Sequence, residues 1–199
     1  YRAILSKKDL DGLIKELKKA KVLAFDTETD SLDFTQANLV GLSVATDEDN
    51  AYYIPVGHDY EGAPKQLDRD EVLKKLKPII EKTPLIGQHL KFDRNVLANY
   101  DIHLNVIEND TMLMSYVYDP TATRHNLDAM ASHYLNVKTT TFEDVAGKGV
   151  KQLTFNQIPL EKASDYAAED ADITFRCYSH LKPALAKTPS LEKVLHEIE

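Results

Sequence analysis

Two carboxylates separated by one residue follow an apolar segment early in the chain. Asp26 and Glu28 come directly after residues 22–25, Val-Leu-Ala-Phe, which predict a buried strand. Because side chains alternate across a strand, both acids are expected to project from the same face. Two carboxylates at the edge of a core either share a proton or hold a cation. The alternative is a strand end that frays into a solvated acidic turn.

Two further segments carry acids that chemistry could use. Asp93 lies at the predicted start of a helix, where helix capping alone also explains an acid. Tyr166 and Asp170 lie four residues apart in a long predicted helix and therefore share a face. Ile173 and Cys177 continue that face, which indicates that it is turned inward. A buried hydroxyl and carboxylate need partners, and a purely structural Tyr–Asp hydrogen bond is the alternative.

The remaining acids near these segments are predicted to have no catalytic role. Asp165, Glu169 and Asp172 are expected to be solvated, and Asp30 and Asp33 to serve the turn after the first strand. The chemical hypothesis therefore depends on the first four acids meeting in space.

Four converging carboxylates could not all stay ionised without cations. Oxygen-only ligands favour Mg²⁺ or Mn²⁺ over zinc, and none of the seven histidines forms a spaced metal-ligand pair. Two such ions, about 3.5–4 Å apart, are the usual clamp for in-line attack on a phosphodiester. The constellation therefore predicts a site for two divalent ions.

The composition restricts the setting of this site. The chain has 199 residues, a net charge of −8 and one cysteine, which excludes an internal disulfide and a thiolate zinc cluster. No apolar run is long enough to cross a bilayer, so we expect a cytoplasmic protein without membrane association. The acidic balance argues against electrostatic coating of duplex DNA but allows a narrow site for a few nucleotides.

The hydrophobic pattern predicts an α/β domain with a mixed sheet. A helix starting near Ser6 precedes three strands in quick succession, which suggests an antiparallel meander. Predicted strands cover residues 21–27, 39–46 and 51–56, with shorter candidates at 85–86 and 106–107. Predicted helices cover residues 70–82, 92–99, 111–118, 127–134 and 160–185. A last helix after residues 188–190 has an apolar stripe that either awaits a missing part of a longer chain or packs on its own domain.

Taken in order and spacing, the acidic segments resemble the three motifs of the DEDD 3′–5′ exonuclease superfamily. These segments are Asp26-Thr27-Glu28, the Asp93 region and Tyr166-x-x-x-Asp170. A tyrosine at the third motif marks the tyrosine subclass. The likeness is strongest to the proofreading domains of bacterial DNA polymerase I, and residues 29–33, 37–41, 153–158 and 166–174 share it. It extends from about residue 22 to residue 185.

The resemblance implies a role for each motif residue. Asp26 would bridge two divalent metal ions, Mg²⁺ or Mn²⁺. Glu28 and Asp170 would hold the ion that binds the attacking water, and Asp93 would serve the second ion directly or through water. Tyr166 would orient that water through its hydroxyl. All five are therefore predicted catalytic residues.

The resemblance also implies positions that bind nucleic acid. Leu32 and Phe142 match residues that wedge and stack against the terminal bases, and Arg124 matches a phosphate contact. Thr27, between the two acids of the first motif, is included among these positions. His89 stands where this family usually has asparagine, although histidine can still donate a hydrogen bond.

These roles together imply a 3′–5′ exonuclease with a ribonuclease H-like mixed β-sheet flanked by helices. It would remove mononucleotides from single-stranded or mismatched DNA 3′ ends as the proofreading part of a DNA polymerase I. Residues 1–187 would form the exonuclease domain, and residues 188–199 would begin a helix leading to a polymerase domain in the same parent chain. The expected partners are the DNA 3′ end and that polymerase domain, and the protein is expected to be a monomer.

Three other functions remain open at this stage. A ribonuclease D-like exonuclease that processes RNA shares the same five motif residues. An exonuclease-like scaffold that no longer cuts would typically have lost motif carboxylates, all of which are present here. An acidic metal-buffering protein would not need a tyrosine on a buried face beside its acids.

Overall fold

A mixed β-sheet flanked by helices organises the chain. The computed structural model describes residues 1–198, and residue 199 of the predicted last helix lies outside them. The strands are β1 (Arg2–Ala3), β2 (Leu23–Thr29), β3 (Leu39–Asp47), β4 (Asn50–Pro55), β5 (Leu85–Gly87) and β6 (Ile107–Asp110). The α-helices are α1 (Lys7–Leu17), α2 (Arg69–Ile80), α3 (Leu90–Ala98), α4 (Thr111–Tyr118), α5 (Leu127–Met130), α6 (Phe142–Ala146), α7 (Leu160–Ala186) and α8 (Pro189–Ile198). Predicted and observed fold class agree.

The sheet is built around the predicted antiparallel meander. Its strand order is β1-β4-β3-β2-β5-β6, with β2, β3 and β4 antiparallel and the other pairings parallel. Strand β2 extends two residues beyond the predicted end, because Glu28 and Thr29 still pair with β3 across a register shift. Both carboxylates of the first motif are therefore held within a paired strand, and the fraying alternative is wrong.

Helix α7 approaches the sheet closely because both surfaces are lined by small side chains. Ala24 on β2 and Ala45 on β3 are fully buried against it. On the helix, Ala163, Ala167 and Ala171 are equally buried. Alanine adds little bulk, so the helix backbone can lie near the strands. This contact sets the distance between the helix side chains and those of β2.

The burial of Asp172 on α7 contradicts its prediction. Asp172 is only 1% exposed, whereas it was expected to be solvated. It accepts hydrogen bonds from the Tyr1 hydroxyl at 2.6 Å and the Asp49 amide at 2.8 Å, and it pairs with Arg176. The helical pattern could not reveal these partners, because two of them come from distant segments that cover this face of α7. Asp165 is exposed as predicted.

Two helical regions show features that the sequence pattern does not specify. The predicted helix 127–134 begins as α5 and continues as a π-helical turn, Ala131–Leu135. In α8, Leu195 is 2% exposed and packs in the same core cluster as α7, whereas Val194 and Ile198 remain exposed. Part of its apolar stripe is thus covered by the domain itself. Among the described residues, no helix has both the length and the apolarity needed to cross a bilayer.

Candidate active site

Strand β2 and helix α7 bring three carboxylates together. Asp26 and Glu28 lie on the sheet face that α7 covers, and Asp170 projects from α7 toward them. One oxygen from each carboxylate lies within 4.8 Å of the others. All three side chains are half-buried. This spacing allows one cation to contact all three residues.

Asp93 completes the acidic cluster from helix α3. It lies in the first turn of that helix and is 2% exposed. Its Oδ1 accepts hydrogen bonds from the Thr27 amide at 2.9 Å and the Thr27 hydroxyl at 2.5 Å. Asp93 and Asp26 lie close enough to shift each other's pKa, which joins the fourth acid to the other three. The four acids singled out from the sequence are thus contiguous.

The start of α3 is fixed by an acid that the sequence analysis missed. Asp110 accepts hydrogen bonds from the backbone amides of His89 at 3.1 Å and Leu90 at 2.8 Å. It also accepts from the Met112 amide at the start of α4. His89 itself has a φ of 60°, in the left-handed region that non-glycine residues rarely adopt. The position of Asp110 just before a helix was the available signal, because aspartate is a common N-cap.

Burial and mutual repulsion raise the pKa of every acid in the cluster. Burial, followed by the Asp170 charge, raises the pKa of Asp26 to about 8. Burial raises the pKa of Glu28 well above its usual range, and the charges of Asp26 and Asp170 add to the effect. Burial and the Asp26 charge likewise raise the pKa of Asp93. Without a cation, the cluster therefore retains protons near neutral pH.

Asp170 is influenced by two acids outside the predicted set. After burial, Asp128 is the largest cause of its raised pKa, and Glu169 contributes further. Asp128 is exposed and accepts a hydrogen bond from the Thr139 hydroxyl at 2.5 Å. Glu169 was expected to face water, but it is half-buried and accepts from the Thr140 amide at 2.8 Å. Nothing in the local sequence distinguishes Asp128 from an ordinary acid in the first turn of a helix.

Tyr166 lies beside Asp170 on α7, as their spacing predicts. Burial raises the pKa of Asp170, and the neighbouring Tyr166 hydroxyl acts in the opposite direction. Burial, followed by the Asp170 charge, raises the pKa of Tyr166 far above its usual range. The phenol therefore stays protonated at any physiological pH and can donate a hydrogen bond.

The donor set of this cluster fits hard divalent cations. Glu28 Oε1 is buried, and no described residue within hydrogen-bonding distance donates to it. A buried carboxylate oxygen without a donor is costly unless a cation supplies the missing positive charge. The ligand atoms are all carboxylate oxygens, which Mg²⁺ and Mn²⁺ prefer. The residues therefore fit the metal site that the sequence predicts.

A groove of about 580 Å³ opens beside the acids. Leu32, from the turn after β2, is 94% exposed at its rim. Phe142 and Phe92 supply aromatic surface, and residues 152–155 form another wall. An apolar side chain left almost fully exposed next to a polar cluster is suited to contact a ligand that brings its own flat surfaces.

Only some of the other predicted nucleic-acid-binding residues line this groove. Thr27 lines it, but its hydroxyl is engaged by Asp93. His89 and Arg124 are exposed and do not belong to the described residues that line the groove. Their loops are neighbours, because the Gln88 side chain donates to the backbone carbonyl of His125 at 2.8 Å.

The architecture has clear counterparts among solved structures. Escherichia coli RNase D, described as an exoribonuclease, matches 100% of this chain and 48% of its own chain, with a TM-score of 0.70 and 17% identity. At that identity the likeness shows the fold alone, which is ribonuclease H-like, as predicted. Converging carboxylates at one edge of such a sheet are suited to metal-dependent hydrolysis of phosphodiesters. Residues 1–186 match the profile of the 3′-5′ exonuclease family, and the chain belongs to that family.

The sequence relatives of this chain are longer proteins. DNA polymerase I of Pseudomonas aeruginosa is 51% identical over the whole chain, which covers 22% of that protein. DNA polymerase I of Borreliella burgdorferi is 40% identical, again over the whole chain, which covers 21% of that protein. The chain thus spans about a fifth of the length of these relatives. The predicted resemblance to the exonuclease domains of DNA polymerase I is confirmed.

Proposed function

We propose that this chain is a metal-dependent 3′–5′ exonuclease that removes mononucleotides from single-stranded or mismatched DNA 3′ ends. The observation that carries the proposal is the meeting of three carboxylates within 4.8 Å beside an open groove, one of them with a buried oxygen to which no described residue donates. Membership of the 3′-5′ exonuclease family supports the direction of cleavage. The DNA polymerase I relatives support DNA as the substrate.

The four acids would together bind two cations. Asp26 would contact both, Glu28 and Asp170 would hold one, and Asp93 would serve the other directly or through water. Bound Mg²⁺ or Mn²⁺ would lower the pKa of the attacking water and stabilise the charge on the leaving 3′ oxygen. Tyr166 would donate its hydroxyl hydrogen bond to orient that water, which its raised pKa permits.

Substrate choice follows from the shape of the site rather than from base recognition. Leu32 and Phe142 offer apolar surface on which any base can stack. A paired 3′ end must melt before its last nucleotides enter the groove. A mismatched end has already lost part of that pairing energy, so an unselective nuclease can preferentially remove errors.

The same relatives suggest the setting of the domain. We propose that it works as a monomeric proofreading unit of a cytoplasmic DNA polymerase I, with residues 1–187 as the exonuclease domain. Residues 188–199 would then begin the connection to a polymerase domain. The length of the relatives, of which this chain spans about a fifth, supports the presence of such a domain.

Hydrolysis of matched substrates tests this function. We expect the 199-residue chain to release mononucleotides from the 3′ end of single-stranded DNA in Mg²⁺ or Mn²⁺, and to do so more slowly from a paired end. A duplex with a 3′ mismatch should fall between these two rates. The measurement is time-resolved gel analysis of 5′-labelled oligonucleotides, with EDTA as the control that should stop the reaction.

Three outcomes would contradict the proposal. Faster cleavage of RNA than of DNA of the same sequence would indicate a ribonuclease D-like enzyme. No cleavage of any strand by folded protein in either metal would indicate a scaffold. Undiminished cleavage in EDTA would contradict the metal site.

The raised pKa values lead to a pH dependence in the metal-free protein. Asp26 has a folded-state pKa of about 8, whereas an unfolded aspartate titrates near 3.9. Between these values the native state binds more protons than the unfolded state, so stability falls as pH rises through this window. We therefore expect the Tm in EDTA to be lower at about pH 8.5 than at about pH 6.

Divalent ions should reverse this trend, because they replace the protons. The increase in Tm caused by saturating Mg²⁺ or Mn²⁺ should be larger at the higher pH. Differential scanning calorimetry at fixed ionic strength, with Ca²⁺-free buffers, measures both effects. A Tm in EDTA that rises over the same range would show that the cluster is not protonated in the native state.

A further inference from the structure

One buried aromatic ring neighbours the predicted catalytic tyrosine, Tyr166. Phe155 belongs to the 3₁₀ turn Phe155–Gln157, is 2% exposed and reaches the wall of the groove. Its ring centroid is 6.1 Å from that of Tyr166, with the two planes tilted by 49°. The Phe142 ring centroid lies 6.2 Å from that of Tyr166. The Tyr166 ring therefore has two other aromatic rings as neighbours.

Phe155 is itself fixed by a hydrogen-bonded pair of rings. Tyr53 and His58 are both buried, and the Tyr53 hydroxyl lies 2.8 Å from His58 Nε2. The Phe155 centroid is 6.2 Å from the Tyr53 ring and 5.7 Å from the His58 ring. The Gln66 side chain holds the backbone of His58: it accepts from the His58 amide and donates to the His58 carbonyl, at 2.8 Å each. The pair thus provides a rigid support beneath Phe155.

The backbone around Phe155 is tied down on both sides. The Asn156 side chain donates to Asp59 Oδ1 at 2.7 Å, and the Asp59 amide donates to the Asn156 carbonyl at 3.2 Å. The Leu153 amide donates to the Ala146 carbonyl at 2.9 Å. These contacts join the 3₁₀ turn to the loop after β4 and to the end of α6, so Phe155 has little freedom to move.

Helix α7 alone does not fix the position of the Tyr166 hydroxyl. It stands at the end of a side chain with two rotatable bonds, so its location depends on what surrounds the ring. Phe142 is half-buried and lies at the groove, where a bound strand would contact it. Phe155 also reaches the groove wall but is only 2% exposed, so we expect its contact with Tyr166 to stay the same when the groove is filled.

We propose that Phe155 is a positioning residue that holds the Tyr166 hydroxyl next to Asp170, at the place where the attacking water is oriented. The inference rests on the proposed function and adds to it a residue that acts through Tyr166. Aromatic pairs of this kind have preferred geometries, which an aliphatic side chain of the same volume cannot reproduce.

A double-mutant cycle separates this role from simple packing. The variants are Phe155→Leu, Tyr166→Phe and the two combined, assayed under single-turnover conditions on single-stranded DNA with Mg²⁺. We expect Phe155→Leu to lower the rate constant of cleavage roughly tenfold, with DNA affinity unchanged, because small displacements of a reacting group are costly. In the Tyr166→Phe background, the same change should cost less than about twofold, because no hydroxyl is left to position.

Control variants keep the result interpretable. Phe175→Leu removes a half-buried ring from the same helix, α7, where it contacts Tyr178 away from the acids. It should leave the cleavage rate unchanged. If Phe155→Leu fails to fold, judged by circular dichroism and Tm, Phe155→Met keeps the apolar volume and removes only the flat ring.

The outcomes distinguish the inference from the function on which it rests. Equal fold losses with and without the Tyr166 hydroxyl would overturn the inference, as would a wild-type cleavage rate in a folded Phe155 variant. An inactive wild-type chain would overturn the proposed function instead.

Discussion

Asp26→Asn should slow DNA cleavage by at least about a thousandfold while making the metal-free protein more stable. The rate should fall because Asp26 is proposed to contact both cations, and an amide cannot supply the negative charge. The stability rises because the carboxylate is repelled by Asp170 and disfavoured by burial, which together raise its pKa to about 8. Asparagine has nearly the same shape and carries no charge to desolvate.

Opposite changes in rate and stability identify a functional acid more sharply than loss of activity alone. A structural acid would lower both when replaced, as removal of a satisfied buried hydrogen bond normally does. We expect the Tm gain in EDTA to be greatest above about pH 8, where the wild-type carboxyl must ionise. Each kcal/mol of relief corresponds to about 2–4 °C for a chain of this size.

Asp165→Asn is the matched control for this substitution. Asp165 is an exposed acid on α7, the same helix that carries Asp170, and it is not among the described residues that line the groove. Its replacement should change neither the cleavage rate nor the Tm difference between EDTA and Mn²⁺. A lower Tm for Asp26→Asn, or hydrolysis within about tenfold of wild type, would remove Asp26 from the metal site.

The sequence was most informative where local periodicity and burial agree. The three meander strands were predicted within two residues, because their apolar content is high and polar turns bound them. The boundary error that affects the site concerns Glu28 and Thr29, which stay paired with β3 across a bulge-like register shift. A bulge is a property of two strands together, so the β2 sequence alone contains no signal for it.

The acids of the site were recognisable because their neighbours are unusual. Asp26 and Glu28 follow a fully apolar run, and Asp170 lies on a helix face continued by Ile173 and Cys177, both buried. Asp172 lacked such a context and was misjudged, since Tyr1 and Asp49 reach it from far along the chain. Long-range partners of this kind cannot be deduced from helical spacing.

The supporting residues were missed for the same reason. In the sequence, Phe155 is indistinguishable from any other apolar residue in a loop. Its contact with Tyr166 depends on how that loop folds back over α7. Asp110 reads as an N-cap for α4, yet it also holds the two amides that start α3. Sequence reasoning finds the groups that perform chemistry more readily than those that hold them in place.

Gly41→Ala should destabilise the domain by about 2 kcal/mol, although alanine is normally the better residue in a strand. A Cβ atom at this position would lie 2.2 Å from the Tyr53 hydroxyl oxygen and 2.3 Å from its ring. Tyr53 is completely buried and hydrogen-bonded to His58, so its ring cannot swing away without breaking the aromatic cluster. The usual gain of about 0.5–1 kcal/mol from replacing glycine is therefore outweighed.

The same substitution should also reduce cleavage, because Gly41 pairs with Glu28 across the two central strands. Residues directly opposite in an antiparallel pair project to the same face, so the new methyl group enters the face that carries the acid. Gly12→Ala provides the control, since nothing lies within 4 Å of a Cβ placed there in α1. It should stabilise the protein by about 0.5–1 kcal/mol through the helix propensity of alanine.

Relief of the clash from the opposite side completes the test. Tyr53→Leu removes the ring that the methyl group would meet, so the double variant with Gly41→Ala should lose less stability than the two single losses added together. Urea denaturation of the four proteins in EDTA measures this coupling. Additive losses, or a Gly41→Ala variant as stable as Gly12→Ala, would mean that the position of the Tyr53 ring does not require a residue without a side chain at position 41. The glycine would then have no part in building the support on which Phe155 and, through it, Tyr166 rest.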